Sequence, residues 1–115
     1  MVERKITAST ISELKLFENE LHDLWINVDD FKADEGKKIT LILHKDPPTW
    51  KECGKLEIAC VENLKIFDDQ KIGYYDLETF SYDPALGKLK IVCFTPLLVE
   101  LELSSLALNA IILTD

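Results

Sequence analysis

The last third of the chain alternates apolar and polar residues with a period of two. The apolar positions of this region are Leu89, Ile91, Cys93, Leu97, Val99, Leu101, Leu103, Leu106, Leu108, Ala110 and Ile112. A period of two is typical of β-strands that bury one face and leave the other in water. The pattern therefore predicts a strand-rich end to the chain. Pro96 interrupts it, so the residues on either side form either two strands or one strand kinked at a sheet edge.

One helix is predicted ahead of the strands. Thr10 and Glu13 have the spacing of a capping box, in which each side chain accepts a hydrogen bond from a free backbone N–H at a helix start. The apolar residues that follow at helical spacing are Ile11, Leu14, Phe17 and Leu21. They share one stripe, and the charged residues point elsewhere: Glu13, Lys15, Glu18 and Glu20. We expect an amphipathic helix from Ile11 to about Leu21 that lies on a sheet.

Shorter alternating segments fill the middle of the chain. The predicted strands are Leu24–Phe31 with a bulge near Asp29 and Asp30, Ile39–Leu43, Leu56–Ile66 with an irregularity at Glu62 and Asn63, and Tyr74–Tyr82. The segment from Asp83 to Gly87 predicts a turn, because Pro84 presets one dihedral angle and glycine tolerates a positive φ. We expect a single, mainly β domain over residues 1–115. Its predicted architecture is an antiparallel sandwich or partly open barrel of about seven strands with one N-terminal amphipathic helix.

The charge of the chain limits its partners. Its formal net charge is −8, from 21 acidic and 13 basic residues, and no basic residue follows Lys90. An acidic surface repels nucleic-acid backbones and anionic membranes, so neither is an expected partner. A charged partner is expected to be basic.

The cysteines and the N-terminal residues predict a cytoplasmic protein. Cys53, Cys60 and Cys93 form an odd set without regular spacing, which favours reduced thiols over a disulfide framework. The stretch from Met1 to Thr10 contains charged residues and no apolar run, so we expect neither a secretory nor a lipidation signal. The longest uncharged stretch is shorter than the ~20 residues that a spanning helix needs.

Residues suited to catalysis or metal binding do not form a recognisable group. His22 and Asp23 are either a base with its orienting carboxylate, or two metal ligands, or a helix C-terminal cation and a polar turn residue; we favour the last interpretation. His44 is predicted to lie exposed at a strand end. The cysteine spacing does not fit zinc, and neither the acidic residues nor the single glycines fit calcium or phosphate loops. We predict no enzyme activity, cofactor or metal.

Two sets of residues are candidates for partner binding. Trp50, Tyr74 and Tyr75 lie in or beside predicted loops, where large amphipathic rings commonly anchor interfaces, although core packing is an equal alternative. Glu100 and Glu102 are alternate residues of one predicted strand, so both carboxylates lie on its polar face. This acidic face is a candidate docking surface.

The layout as a whole resembles a group of small bacterial β-rich domains, most of unknown function. The features that carry the likeness are the short N-terminal helix, the His22-Asp23 pair at the first strand, the alternating hairpins and the strand-rich end. The group includes some immunity proteins of polymorphic toxin systems, and the resemblance implies a non-enzymatic binding role.

These observations predict a non-enzymatic protein-binding domain that neutralises a basic partner, in the manner of an immunity protein. The alternative is a small-molecule binding module, because the mouth of a β-barrel can enclose an apolar ligand.

Overall fold

The computed structural model describes residues 2–114, which form one antiparallel sheet of nine strands and one α-helix. The elements in chain order are β1 (Val2–Ala8), α1 (Ile11–Leu21), β2 (Trp25–Asn27), β3 (Ile39–Lys45), β4 (Lys51–Ile58), β5 (Val61–Phe67), β6 (Tyr74–Asp83), β7 (Lys88–Cys93), β8 (Leu97–Leu103) and β9 (Leu108–Thr114). The strand order is β1-β9-β4-β3-β2-β6-β7-β8-β5, so β1 and β5 are the two edges of an open sheet. The expected mainly β, antiparallel fold with one helix is confirmed, with more strands than the expected seven.

The helix begins and ends where the sequence predicts. The backbone N–H of Glu13 donates to Thr10 Oγ1 at 3.2 Å, which is the first half of the capping box. The second half of the capping box involves Ser9 instead of Thr10, since the Ser9 N–H donates to the Glu13 carboxylate at 3.1 Å. The bond from the Ser9 N–H, followed by those from the Ser9 and Thr10 hydroxyls, lowers the pKa of Glu13.

The buried stripe of α1 is narrower than predicted and includes a charged residue. Leu14, Phe17 and Leu21 are buried, whereas Ile11 is 55% exposed. Phe17 meets Phe80 of β6 edge to face, with ring centroids 5.8 Å apart. The expectation that Glu18 points away was wrong, because this residue is buried against the sheet.

Strand β1 was not predicted from the sequence. It pairs with β9 along its whole length, from Val2 opposite Thr114 to Ala8 opposite Leu108. The charges of Glu3, Arg4 and Lys5 conceal the strand in the sequence, because most of this edge strand faces water and its burial is confined to one end.

The last third of the chain follows its predicted pattern. The residues on either side of Pro96 form two paired strands, β7 and β8, rather than one kinked strand. The predicted turn between β6 and β7 is present: the Ala85 N–H donates to Asp83 Oδ1 at 2.9 Å, and Gly87 has φ 61°. A Cβ at Gly87 would lie 2.8 Å from the Leu103 carbonyl oxygen, so the turn requires glycine on two counts.

The middle of the chain is less regular than predicted. The first predicted strand shrinks to the three residues of β2, and a 3-10 helix, Val28–Asp30, replaces the expected bulge. The segment expected as one irregular strand becomes β4 and β5, separated by Ala59 and Cys60, and the register shift expected near Asn63 is present in β5.

One hydrophobic core joins the inner faces of all strands and the helix. Its fully buried members include Ile26, Leu41, Leu56, Ile91 and Leu101, which come from five strands spread across the sheet order. The helix α1 packs against β6 and β1. Packed side chains therefore fill the inner face of the sheet.

Candidate functional site

The alternation of β2, β3 and β6 places several rings on the outer face of the sheet. Ile26 and Tyr75 are fully buried, so their neighbours in the strands face outward. His44, Trp25 and Asp76 are successive partners across three strands, and Asn27 pairs with Tyr74. Trp25, His44 and Tyr74 therefore share the outer face of these strands.

Four of these rings form one group, which we call the aromatic cluster: Trp25, His44, Trp50 and Tyr74. Trp50 stacks on Tyr74 with centroids 4.1 Å apart and an angle of 6° between the planes. Trp25 meets Trp50 edge to face at 5.0 Å, and His44 meets Tyr74 in the same manner at 5.2 Å. The three larger rings are partly exposed and His44 is buried. Offset and edge contacts of this kind hold rings rigidly, at about 0.5–1.5 kcal/mol per pair beyond burial.

A tight loop between β3 and β4 positions Trp50. The Thr49 N–H and hydroxyl both donate to the Asp46 carbonyl, at 2.9 and 2.6 Å. Trp50 follows in the left-handed region with φ 52°, a conformation that costs a bulky residue about 1–2 kcal/mol. Packing against Tyr74 and Trp25 offsets this cost, so the loop presents the indole in one orientation.

His44 connects strand β3 to the loop that carries Trp50. The sequence predicted an exposed histidine, but the residue is only 7% exposed, because the loop folds back over it. Its Nδ1 lies 3.0 Å from the Trp50 carbonyl oxygen. A carbonyl only accepts, so Nδ1 carries the hydrogen and donates. His44 thereby ties the strand to the loop residue that stacks on Tyr74.

Tyr75 takes no part in this surface. It is fully buried on the inner face, which is the core-packing alternative for this residue. Its hydroxyl donates to Asp68 and accepts from the Ile72 N–H, so it fixes the loop between β5 and β6. Burial raises the pKa of Tyr75, and the bond to Asp68 adds to this effect.

Glu100 and Glu102 face outward as predicted, but they do not form an acidic surface. Glu100 has Lys65 and Lys90 as its partners on the two neighbouring strands, and Glu102 has Lys88 on one side. Lys88 Nζ also lies 3.7 Å from Glu100 Oε2. The two carboxylates thus belong to a cross-strand ladder in which lysines alternate with glutamates. Their local charge is largely compensated.

His22 and Asp23 form an exposed pair at the end of the helix. The backbone N–H of His22 donates to the Glu18 carbonyl at 2.9 Å and caps α1. Adjacent residues of an extended segment point to opposite faces, yet His22 Nδ1 and Asp23 Oδ1 are 3.2 Å apart, because Asp23 is left-handed with φ 72°. Among residues 2–114, no three His, Cys, Asp or Glu side chains are placed to hold a metal ion.

The cysteines are unpaired thiols in three environments. Cys93 is buried in β7, and this burial raises its pKa to about 12. Cys53 is also buried, with a raised pKa. Cys60 falls within the predicted strand Leu56–Ile66, but it lies in the turn between β4 and β5 and is partly exposed. Cys60 is therefore the most accessible of the three thiols.

Two carboxylates replace missing strand neighbours, and neither role was predicted from the sequence. Asp30 Oδ2 accepts from the Ile42 N–H at 3.1 Å, beside the point where β2 ends. Glu18 Oε1 accepts from the Phe80 N–H at 2.7 Å, on the part of β6 that extends beyond β2. An acidic residue on a predicted helix stripe, next to apolar residues, is the only signal that could have identified Glu18.

Comparisons with known proteins reveal one distant structural neighbour and no family. No protein-family model matches the sequence, and no curated protein matches it. An uncharacterized protein from Neisseria gonorrhoeae aligns with a TM-score of 0.47 and 13% identity, over 96% of this chain and 97% of that chain. Within residues 2–114, α1 is too short and too polar to cross a membrane.

Proposed function

We propose that this chain is a non-enzymatic protein-binding domain that docks a basic partner through the outer-face aromatic cluster. The observation that carries the proposal is the Trp50–Tyr74 stack, which is partly exposed and held rigid by a left-handed backbone and by the His44 hydrogen bond. Rigid aromatic side chains lose little entropy on binding and are enriched among the residues that dominate interface energies.

Two carboxylates beside the cluster favour a basic partner. Asp76 is the cross-strand neighbour of Trp25, and Glu52 is the neighbour of His44. Lysine or arginine side chains of a partner can pair with these carboxylates and lie against the indole faces. The net charge of −8 would also accelerate encounter with a basic protein. Neutralisation of a basic toxin in the cytoplasm, as immunity proteins perform, is a role that this binding would suit.

The small-molecule alternative has less support. A partly open barrel or sandwich would need space inside the curved sheet for an apolar ligand. The inner faces instead carry side chains such as Ile39, Leu56 and Leu89 with no exposed surface. A ligand there would have to displace the core.

Affinity capture with matched variants tests the proposal. Wild-type, Trp50→Ala and Leu86→Ala proteins are immobilised, and proteins retained from the source cells are compared by mass spectrometry. Leu86 is 66% exposed in the β6–β7 turn and serves as the control for loss of an exposed apolar side chain. We expect a basic protein on the wild type and on Leu86→Ala, and at least about tenfold less on Trp50→Ala.

Intrinsic fluorescence then measures the interaction directly. Both tryptophans of the chain, Trp25 and Trp50, lie in the aromatic cluster, so tryptophan emission reports on this surface alone. Titration with the captured protein should change the emission, and added salt should weaken binding. Equal capture by Trp50→Ala, with its thermal unfolding unchanged, would rule out the cluster as the docking surface.

A further inference from the structure

A second apolar surface lies on the outer face of the other half of the sheet. Phe67, Leu98 and Val92 are successive cross-strand partners on β5, β8 and β7, and Phe94 follows Val92 by two residues. We call these four residues the apolar row. Phe94 is 73% exposed and Phe67 is 51% exposed, while Leu98 and Val92 are partly exposed.

Folding does not require apolar residues at these positions. The core is supplied by the alternate residues of the same strands, such as Ile91 and Val99, which are fully buried. One step further along the same three strands, the outward row consists of Lys65, Glu100 and Lys90. An outward row of these three strands can therefore consist of charged side chains. Folding therefore does not account for the exposed hydrophobic area of the apolar row. Exposed hydrophobic area of this kind marks interaction surfaces.

Carboxylates border the apolar row on the side of β6. The Phe94 N–H donates to the Asp76 carbonyl oxygen at 3.1 Å. Phe94, Asp76, Asp23 and Glu78 all line one surface depression of about 370 Å³, with His22 as its sole basic side chain among those described. The surface beside the apolar row is therefore acidic, and it complements a partner that places basic side chains next to apolar ones.

The apolar row is also continuous with the aromatic cluster. Asp76 is the cross-strand partner of Trp25, and its carbonyl binds the Phe94 N–H. The two surfaces thus meet at one residue of β6. We propose that the apolar row is a second contact surface for the same basic protein partner, which places apolar side chains on the row and lysine or arginine over the depression. This inference rests on the proposed function.

A second copy of the chain is a less suitable occupant. Each copy carries a net charge of −8, and the depression beside Phe94 would meet an equally acidic surface in a symmetric pair. Like charges at such an interface oppose association. A basic partner gains from the same carboxylates that a second copy would have to overcome.

The test uses a defined probe and amide chemical shifts. The ¹⁵N-labelled full chain is titrated with a synthetic peptide that alternates leucine and arginine, and with a control peptide that has glutamate in place of arginine. We expect the basic peptide alone to shift the amides of Val92, Phe94, Leu98 and Phe67. Phe94→Ser should weaken its binding about tenfold, and Leu86→Ser, a change at an equally exposed leucine, should leave it unchanged. Asp76→Asn should also weaken binding, since it removes the charge at the junction.

The outcomes separate this inference from the proposed function. Shifts at the apolar row and at both tryptophan indoles support both surfaces. Shifts at the row alone contradict the proposed docking on the aromatic cluster and leave the row as the surface that binds a basic partner. Shifts at the indoles alone overturn the inference and leave the proposed function standing, and no shifts at either surface contradict both. A concentration-dependent dimer in sedimentation, lost in Phe94→Ser, would overturn the inference in favour of self-association.

Discussion

The two halves of the sheet, which meet at β6, form the hydrogen bonds of their backbone groups in different ways. In the half made of β6, β7, β8 and β5, strands pair over most of their length and the outward lysines and glutamates alternate across them. In the half that contains β2, one strand has only three residues, and the carboxylates of Asp30 and Glu18 complete the hydrogen bonding of its neighbours. The regular half is held by its backbone, whereas the irregular half depends on particular side chains.

The aromatic cluster lies in the irregular half. Strand β2 pairs with only three residues of β6, and α1 contacts β6 beyond them, at Phe80. Trp50 and Tyr74, which are distant in sequence, meet in the same half. We therefore expect substitutions of single side chains to damage the irregular half more than the regular half.

The largest expected effect is loss of the helix contact with β6, where the two halves meet. Phe17→Ala should lower the free energy of unfolding by about 3–5 kcal/mol, because the buried ring packs on Phe80 and its removal leaves a cavity. Leu16→Ala, at a position that is 67% exposed on the same helix, should change stability by less than about 0.5 kcal/mol. Urea unfolding followed by circular dichroism measures both. Equal losses would mean that α1 does not dock as described.

The next effect tests the carboxylate that replaces a strand. Glu18→Ala should cost about 2–3 kcal/mol, because it leaves the buried Phe80 N–H without its acceptor. Glu18→Gln keeps an acceptor and should cost less. Glu20→Ala, which removes an exposed ion pair with Arg4, should cost at most about 1 kcal/mol. A Glu18→Ala variant as stable as Glu20→Ala would show that the irregular half does not need this side chain.

In the regular half, a buried thiol should make stability fall at high pH. The pKa of Cys93 rises from 9.0 to about 12 in the folded protein. Burial of the protonated thiol contributes fully to the free energy of unfolding below pH 9, where the folded and unfolded states both keep the proton. Between pH 9 and about 12 only the unfolded state releases this proton. The free energy of unfolding therefore falls over this range, by up to about 1.4 kcal/mol per pH unit.

Urea midpoints measured across this range provide the comparison. Cys93→Ala should show a shallower decline than the wild type, and the remaining slope should come partly from Cys53 and Tyr75, whose pKa values are also raised. Identical slopes would contradict the assignment to Cys93.

The smallest expected effect concerns the charge ladder. Exchange of both Glu100 and Glu102 for lysine gathers like charges beside Lys65, Lys88 and Lys90. Association with a basic partner should slow several-fold, mainly at low salt, because steering depends on unscreened charge. Stopped-flow tryptophan fluorescence measures the on-rate. An on-rate that does not change would exclude this face from the encounter.

The predictable part of the fold is the part with regular alternation. The strands of the last third, the Asp83–Gly87 turn and the limits of the helix were all predicted, because period, turn chemistry and capping act over a few residues. Strand β1 was missed, because its pairing with β9 depends on residues at the other end of the chain. No local pattern reports such a partner.

The candidate site could be predicted only in part. Trp50 and Tyr74 were recognised as possible anchors from their residue type and their position near loops. Trp25 and His44 were not, because their place in the cluster follows from cross-strand register and from the left-handed loop. The compensation of Glu100 by Lys65 and Lys90 has the same origin. Register is a property of the folded sheet and leaves no mark in the alternation of one strand.

The pairing of β1 with β9 also constrains the order in which the protein can form. Of the described strands, β1 leaves the ribosome first and β9 last, yet the register joins Val2 to Thr114. The hydrogen-bonding edge of β1 must therefore wait in water, without its neighbour, until the remaining strands have been synthesised. Its run of charged residues, which hid the strand in the sequence, keeps that waiting segment from pairing with other nascent chains.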